Sequence, residues 1–196
     1  NYECDNMPLH SLGTLLQEIP EYRNLIDSIE STALPIKLHL LPSALPFVLP
    51  SLASQRSYPT LAITPTPDAA EKLYVQLKHW GNPVLPILHF PEYESLPFER
   101  IIPDQDTVHQ RLSTLSQVVD EDSALIIVAS VSALIQSTID PNSLKSYSHT
   151  LAKHQEIDLA ALLDRWHQIG YRFDANVTAP GFFSRRGGIL DIFPPN

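Results

Sequence analysis

The stretch KLHLLPSALPFVLPSLAS, residues 37–54, is laid out like a phosphate-binding site. An apolar run leads into a turn and then a segment with helical potential. That order lets consecutive backbone N–H groups point at phosphate oxygens. The residues that grip a triphosphate are missing. There is no glycine to allow a tight cradle and no Gly-Lys-Ser/Thr to supply charge and a magnesium-holding hydroxyl, and Lys37 precedes the turn. Pro42 and Pro46 each delete an N–H donor. Ser43 is the one hydroxyl in Pro42-Ser43-Ala44-Leu45-Pro46, and a lone serine at a helix start reads more simply as a cap. Pro46 suits a first helical turn, whereas Pro50 is expected to kink or end the helix. The position is expected to hold no nucleotide; it is either a Walker A loop that has degenerated or a turn that never belonged to a nucleotide fold.

Other reactive side chains have plainer readings. Asp104, Asp106 and His109 could suggest metal or acid–base chemistry, but Asp104 suits a helix cap and Asp106 the positive end of the helix dipole. Gly187-Gly188 could approach a phosphate, but a turn or bulge needing positive φ is simpler. Glu92 and Glu94 lie in a loop without a base or nucleophile. No Ser/His/Asp order or Cys/His pair forms a catalytic set, and eight histidines with one cysteine show no zinc spacing. The expectation is no catalytic residue, no metal and no cofactor in this chain.

The elements that carry these residues alternate. Residues 11–30 read as one or two short helices. Strands are expected at 36–41 (IKLHLL), 59–64 (PTLAIT), 83–90 (PVLPILHF) and 124–130 (ALIIVAS), the last apolar on both faces as in a buried parallel strand. Thr66-Pro67 opens a helix with Leu73, Leu77 and Trp80 on one face and Gly81 at its end. Residues 104–119 give another, with Val108, Leu112, Leu115 and Val119 as its stripe. Strand alternating with helix predicts an α/β sandwich with a mostly parallel sheet over residues 1–135. The polar run QSTIDPNSLKSYSH marks a boundary, and residues 136–196 begin a smaller α/β domain. There Asp158 caps a helix bearing Leu159, Leu162, Leu163, Trp166 and Ile169, stopped by Gly170. YRFDANV and GILDIF follow as strands.

Composition narrows the function classes. The 196 residues are 43% apolar, with no run near the ~20 residues of a membrane span and no signal-peptide pattern at the N-terminus. A single cysteine, Cys4, suits a reducing cytoplasm. Residues 1–150 carry 8 Lys/Arg against 17 Asp/Glu, and residues 151–196 carry 5 of each. A body of net charge −9 repels DNA phosphates and argues against autonomous duplex binding.

Three segments carry a resemblance: YESLPFERIIPDQDTVHQRLSTL (93–115), LIIVASVSALIQ (125–136) and GYRFDANVTAPGFFSRRGGILDIFPP (170–195). Together they resemble the N-terminal UvrB-like module of the bacterial transcription-repair coupling factors (Mfd), in register from about residue 36 to 196. The last segment is the most specific. The passage from FPEYESLPFER directly to the next helix leaves no room for the long aromatic hairpin of UvrB, which favours the coupling factors. The resemblance implies that the first domain is a P-loop-like three-layer α/β domain with a mostly parallel sheet and a degenerate nucleotide site, with ATP and magnesium used by a translocase motor elsewhere in a longer parent chain. It implies UvrA as partner, bound by the matches Arg172 and Arg186, with Leu190 and Ile192 as apolar contributors. Arg185 stands where the family is usually apolar. Through the parent chain it also implies RNA polymerase and duplex DNA as partners, and docking of this module onto downstream domains. The family continues past the equivalent of Asn196, so the second domain is expected to be incomplete. Against partner binding stands an ordinary reading: Asp174 and Asp191 lie close in sequence to the two arginines, and surface ion pairs contribute about 0–1 kcal/mol. The competing function is a UvrB-like ATP-binding helicase domain.

Overall fold

The computed structural model describes residues 9–31, 35–93, 104–120 and 124–195. The chain divides into two compact units, Asn1–Glu92 with Glu121–Gln136, and Tyr93–Asp120 with Ser137–Asn196. The fold is mixed α/β, with a three-stranded parallel sheet in the first unit and a smaller sheet in the second.

In the first unit, strands β1 (Thr60–Thr64), β2 (Ile87–Phe90) and β3 (Ile126–Ser130) lie in the order β1-β3-β2, all parallel. The apolar run predicted as a buried strand takes the centre: Ile126 and Val128 are fully buried. They face helix α3 (Pro67–Trp80), whose Leu73 and Leu77 close the core with Ala53, Ala70, Leu85 and Ile87. Helix α3 starts as its sequence demands, with Thr66 Oγ1 accepting the Ala69 N–H at 3.3 Å and Pro67 in the first turn. Gly81 ends it for a different reason from the one expected. Its φ is −70°, so left-handed freedom is not used. A Cβ there would stand 2.4 Å from Ile87 Cδ1 and 2.9 Å from the Leu77 carbonyl oxygen, so the glycine permits close helix–strand approach. Trp80 is half-buried and packs edge-on against Phe47, with ring centroids 5.4 Å apart.

The strand expected at 36–41 does not form. Residues 35–41 join neither edge of the sheet, and Ile36, Leu38 and Leu40 are exposed. The alternation of apolar and polar residues satisfies a strand locally, but a ladder needs a neighbouring edge to take its N–H and C=O groups. Among the described residues none is offered. A 3₁₀ turn (Pro42–Ala44) then leads into helix α2 (Leu45–Ala53). Before it, a 3₁₀ segment (Leu9–Glu18) and helix α1 (Pro20–Ser31) are tied to α2 by Tyr22, whose hydroxyl donates to Ser51 Oγ at 2.9 Å.

The second unit holds helix α4 (Gln105–Asp120), and Asp104 caps it as expected, with its Oδ2 accepting the Thr107 N–H at 3.1 Å. Its predicted apolar stripe is only half-buried. The deeply buried positions are Arg111, Thr114 and Ser116. The Arg111 guanidinium carbon sits 4.4 Å from the Tyr93 ring centroid, where a cation–π contact offsets part of its burial. Burial lowers the Arg111 pKa, and Tyr93 counters this in part. Helix α5 (Val131–Ile135) follows β3 in the first unit. In the second, α6 (Pro141–Tyr147) and α7 (Leu159–Gln168) precede strands β4 (Arg172–Phe173), β5 (Phe182–Arg186) and β6 (Ile189–Phe193). Asp158 Oδ1 caps α7 by accepting from Ala160 and Ala161. Gly170 ends it at φ +102°, with the Tyr171 N–H reaching back to the Trp166 carbonyl and the Gly170 N–H to that of His167.

Candidate functional site

Strand register decides which side chains of the small sheet face outward. β4 pairs parallel with β5, Arg172 opposite Phe182 and Phe173 opposite Phe183. β5 pairs antiparallel with β6, Phe183 opposite Ile192, Ser184 opposite Asp191, Arg185 opposite Leu190 and Arg186 opposite Ile189. Because side chains alternate along a strand, Phe183, Ile192 and Leu190 share one face with Phe173 and Arg185. That face packs on α7: Phe183 is 2% exposed and clusters with Leu162 and Trp166, with Leu190 and Ile192 against the cluster. Of the two neighbouring phenylalanines, Phe183 points inward and Phe182 lies on the other face.

The opposite face carries Arg172, Phe182, Ser184, Arg186, Ile189, Asp191 and Phe193; its middle is covered, with Ser184 buried and Phe182 half-buried, and its exposed positions are Arg172, Arg186, Ile189 and Phe193. Thus the structure brings Arg172 and Arg186 onto one surface. They stand four residues apart along β5 and one strand apart across it, ~14 Å between backbones. Ile189 and Phe193 lie on the same surface, 65% and 43% exposed. Leu190 and Ile192, the apolar residues singled out from the resemblance, are half-buried on the α7 side. The signal for this was present in Gly-Ile-Leu-Asp-Ile-Phe. The charged Asp191 marks the outward parity, and Ile189 and Phe193 share it.

The two arginines differ in their surroundings. Arg186 Nη2 lies 3.5 Å from Asp191 Oδ2, with both side chains exposed. Arg172 meets no carboxylate among the described residues. Its sequence neighbour Asp174 instead accepts the Asn176 N–H at 3.0 Å. Arg185 projects to the α7 side and donates from Nε to the Gly187 carbonyl oxygen at 3.1 Å. Gly187 and Gly188 form the two-residue turn of the β5–β6 hairpin, with φ +62° at Gly187. A first central residue at positive φ is what a tight hairpin of the II′ kind requires, so the pair serves the backbone.

At the Walker A position, Pro46 occupies the first turn of α2 as expected, but Pro50 neither ends nor interrupts it: the helix continues to Ala53 with Pro50 buried. Ser43 caps nothing. The residues preceding the turn and the helix are Leu41 and Ala44, and neither start has a side-chain cap. Among the described residues no group of three His, Cys, Asp or Glu side chains is placed to hold a metal. No described helix is long and apolar enough to cross a membrane.

A family described as the UvrB interaction domain matches residues 150–196, the span that contains this sheet. The transcription-repair-coupling factor of Mycobacterium tuberculosis (strain CDC 1551 / Oshkosh) is 30% identical over 98% of the chain. The chain is a UvrB-like module of the transcription-repair-coupling factor family. The Escherichia coli (strain K12) transcription-repair-coupling factor is 27% identical over 73% of the module. The UvrABC system protein B of Thermosipho africanus (strain TCF52B) is 26% identical over 76% of it. The module spans 16%, 12% and 24% of these three proteins, so each is several times longer.

Proposed function

We propose that this UvrB-like module recruits UvrA through the outward face of its small sheet and performs no chemistry itself. The supporting observation is that Arg172, Arg186, Ile189 and Phe193 lie on one face of the small sheet and are each exposed, around the buried Ser184, inside the span matched by the UvrB interaction domain. Arginines present rigid forks that bind carboxylates bidentately, and together with apolar neighbours they make interface anchors. Leu190 and Ile192 support that surface from beneath and add only their exposed edges to the contact. In the longer parent chain, an ATP-driven DNA translocase using magnesium displaces stalled RNA polymerase from duplex DNA, and docking of this module onto downstream domains regulates access to UvrA. Titrating UvrA against the wild-type chain and the Arg172→Ala/Arg186→Ala double variant tests the reading. At least a tenfold loss of affinity is expected, and equal affinity refutes it. The alternative, an ATP-binding UvrB-like helicase domain, has against it the two N–H donors deleted at Pro42 and Pro46.

A further inference from the structure

The two arginines of the outward face are not equally available, and the difference comes from Asp191. Asp191 is outward-facing, 47% exposed, and sits diagonally across the β5–β6 ladder from Arg186 at 3.5 Å. Arg172, on the same face, meets no carboxylate among the described residues. We propose that Asp191 is an internal competitor that tunes affinity: it occupies Arg186 in the free module and yields it to a carboxylate of UvrA. This rests on the docking reading given above. The occupant it specifies is an acidic, partly apolar patch of UvrA. One carboxylate of that patch meets Arg172 directly, a second displaces Asp191 from Arg186, and apolar side chains lie over Ile189 and Phe193. The charge logic is local. A carboxylate approaching Arg186 meets both the cation it seeks and the anion already beside it. Attraction is therefore partly cancelled there, and less so at Arg172, whose neighbour Asp174 is turned to the Asn176 N–H and forms no ion pair with it. An exposed ion pair at this separation is weak enough to be exchanged without unfolding the hairpin.

The test is Asp191→Asn, which keeps the side-chain shape and removes the charge. It is measured by calorimetric titration of UvrA against the whole 196-residue chain at low and moderate salt. Affinity should rise about two- to fivefold at low salt, and the gain should shrink as ionic strength increases. In an Arg186→Ala background the same substitution should produce no gain, because its target is gone. Unchanged or weaker binding by Asp191→Asn overturns the proposal, as does an equal gain in the Arg186→Ala background. If UvrA binds the wild type but these outcomes fail, only the role of Asp191 falls. If UvrA does not bind the wild type at all, the docking reading falls with it.

Discussion

Phe183→Ala tests whether the docking face depends on its buried underside. Phe183 is 2% exposed and meets three rings edge-on: Trp166 at 5.5 Å, His167 at 5.2 Å and Phe173 at 5.9 Å between centroids. Truncating a buried phenylalanine costs about 3–5 kcal/mol, which includes the cavity left behind. With a urea m-value of about 2 kcal/mol/M, the unfolding midpoint should fall by about 2 M. The chain contains two tryptophans, Trp80 in the first unit and Trp166 in the second, so in a Trp80→Phe background fluorescence reports the second unit alone. UvrA binding should be lost in parallel with that transition, although Phe183 faces away from the partner. A midpoint shift below about 0.5 M would show that the sheet is not held by this cluster, and the register argument for the outward face would lose its support.

Other perturbations have equally definite outcomes. Gly81→Ala places a methyl 2.4 Å from Ile87 Cδ1 and should destabilise the first unit by about 1–3 kcal/mol in thermal melts followed through Trp80. Burial lowers the His89 pKa below its ordinary 6.5, and Glu71 offsets part of this. The folded state therefore favours the neutral ring. Its contribution is complete above pH 6.5 and is lost as pH falls through the depressed folded value, so His89→Gln should flatten the fall in melting temperature between pH 7.5 and 5. Millimolar ATP with magnesium should leave the melting temperature of the module unchanged. A rise of several degrees would restore the helicase-domain reading.

Local signals were the most legible in the sequence. The caps at Thr66, Asp104 and Asp158 and the stop at Gly170 each satisfy backbone groups within a few residues, and each formed as read. The central strand was legible because burial on both faces removes its polar alternation. What failed depended on distant neighbours. Ile36, Leu38 and Leu40 alternate like a strand, but pairing is a property of two segments and cannot be read from one. Arg111 is charged, so hydropathy places it outside, yet the Tyr93 face receives it in the interior. In the site, Arg172 and Arg186 were found by resemblance. That they share a face with Ile189 and Phe193 rather than with Leu190 and Ile192 is hinted at in the sequence by the parity of Asp191 and fixed by hairpin register.

The most direct measurement is side-chain footprinting by hydroxyl radicals, with and without saturating UvrA. Ile189 and Phe193 should lose most of their reactivity in the complex, while the still more exposed Leu41 and Ile135 of the first unit keep theirs. Protection of Leu41 and Ile135 with Ile189 and Phe193 left reactive would contradict the assignment of the docking face.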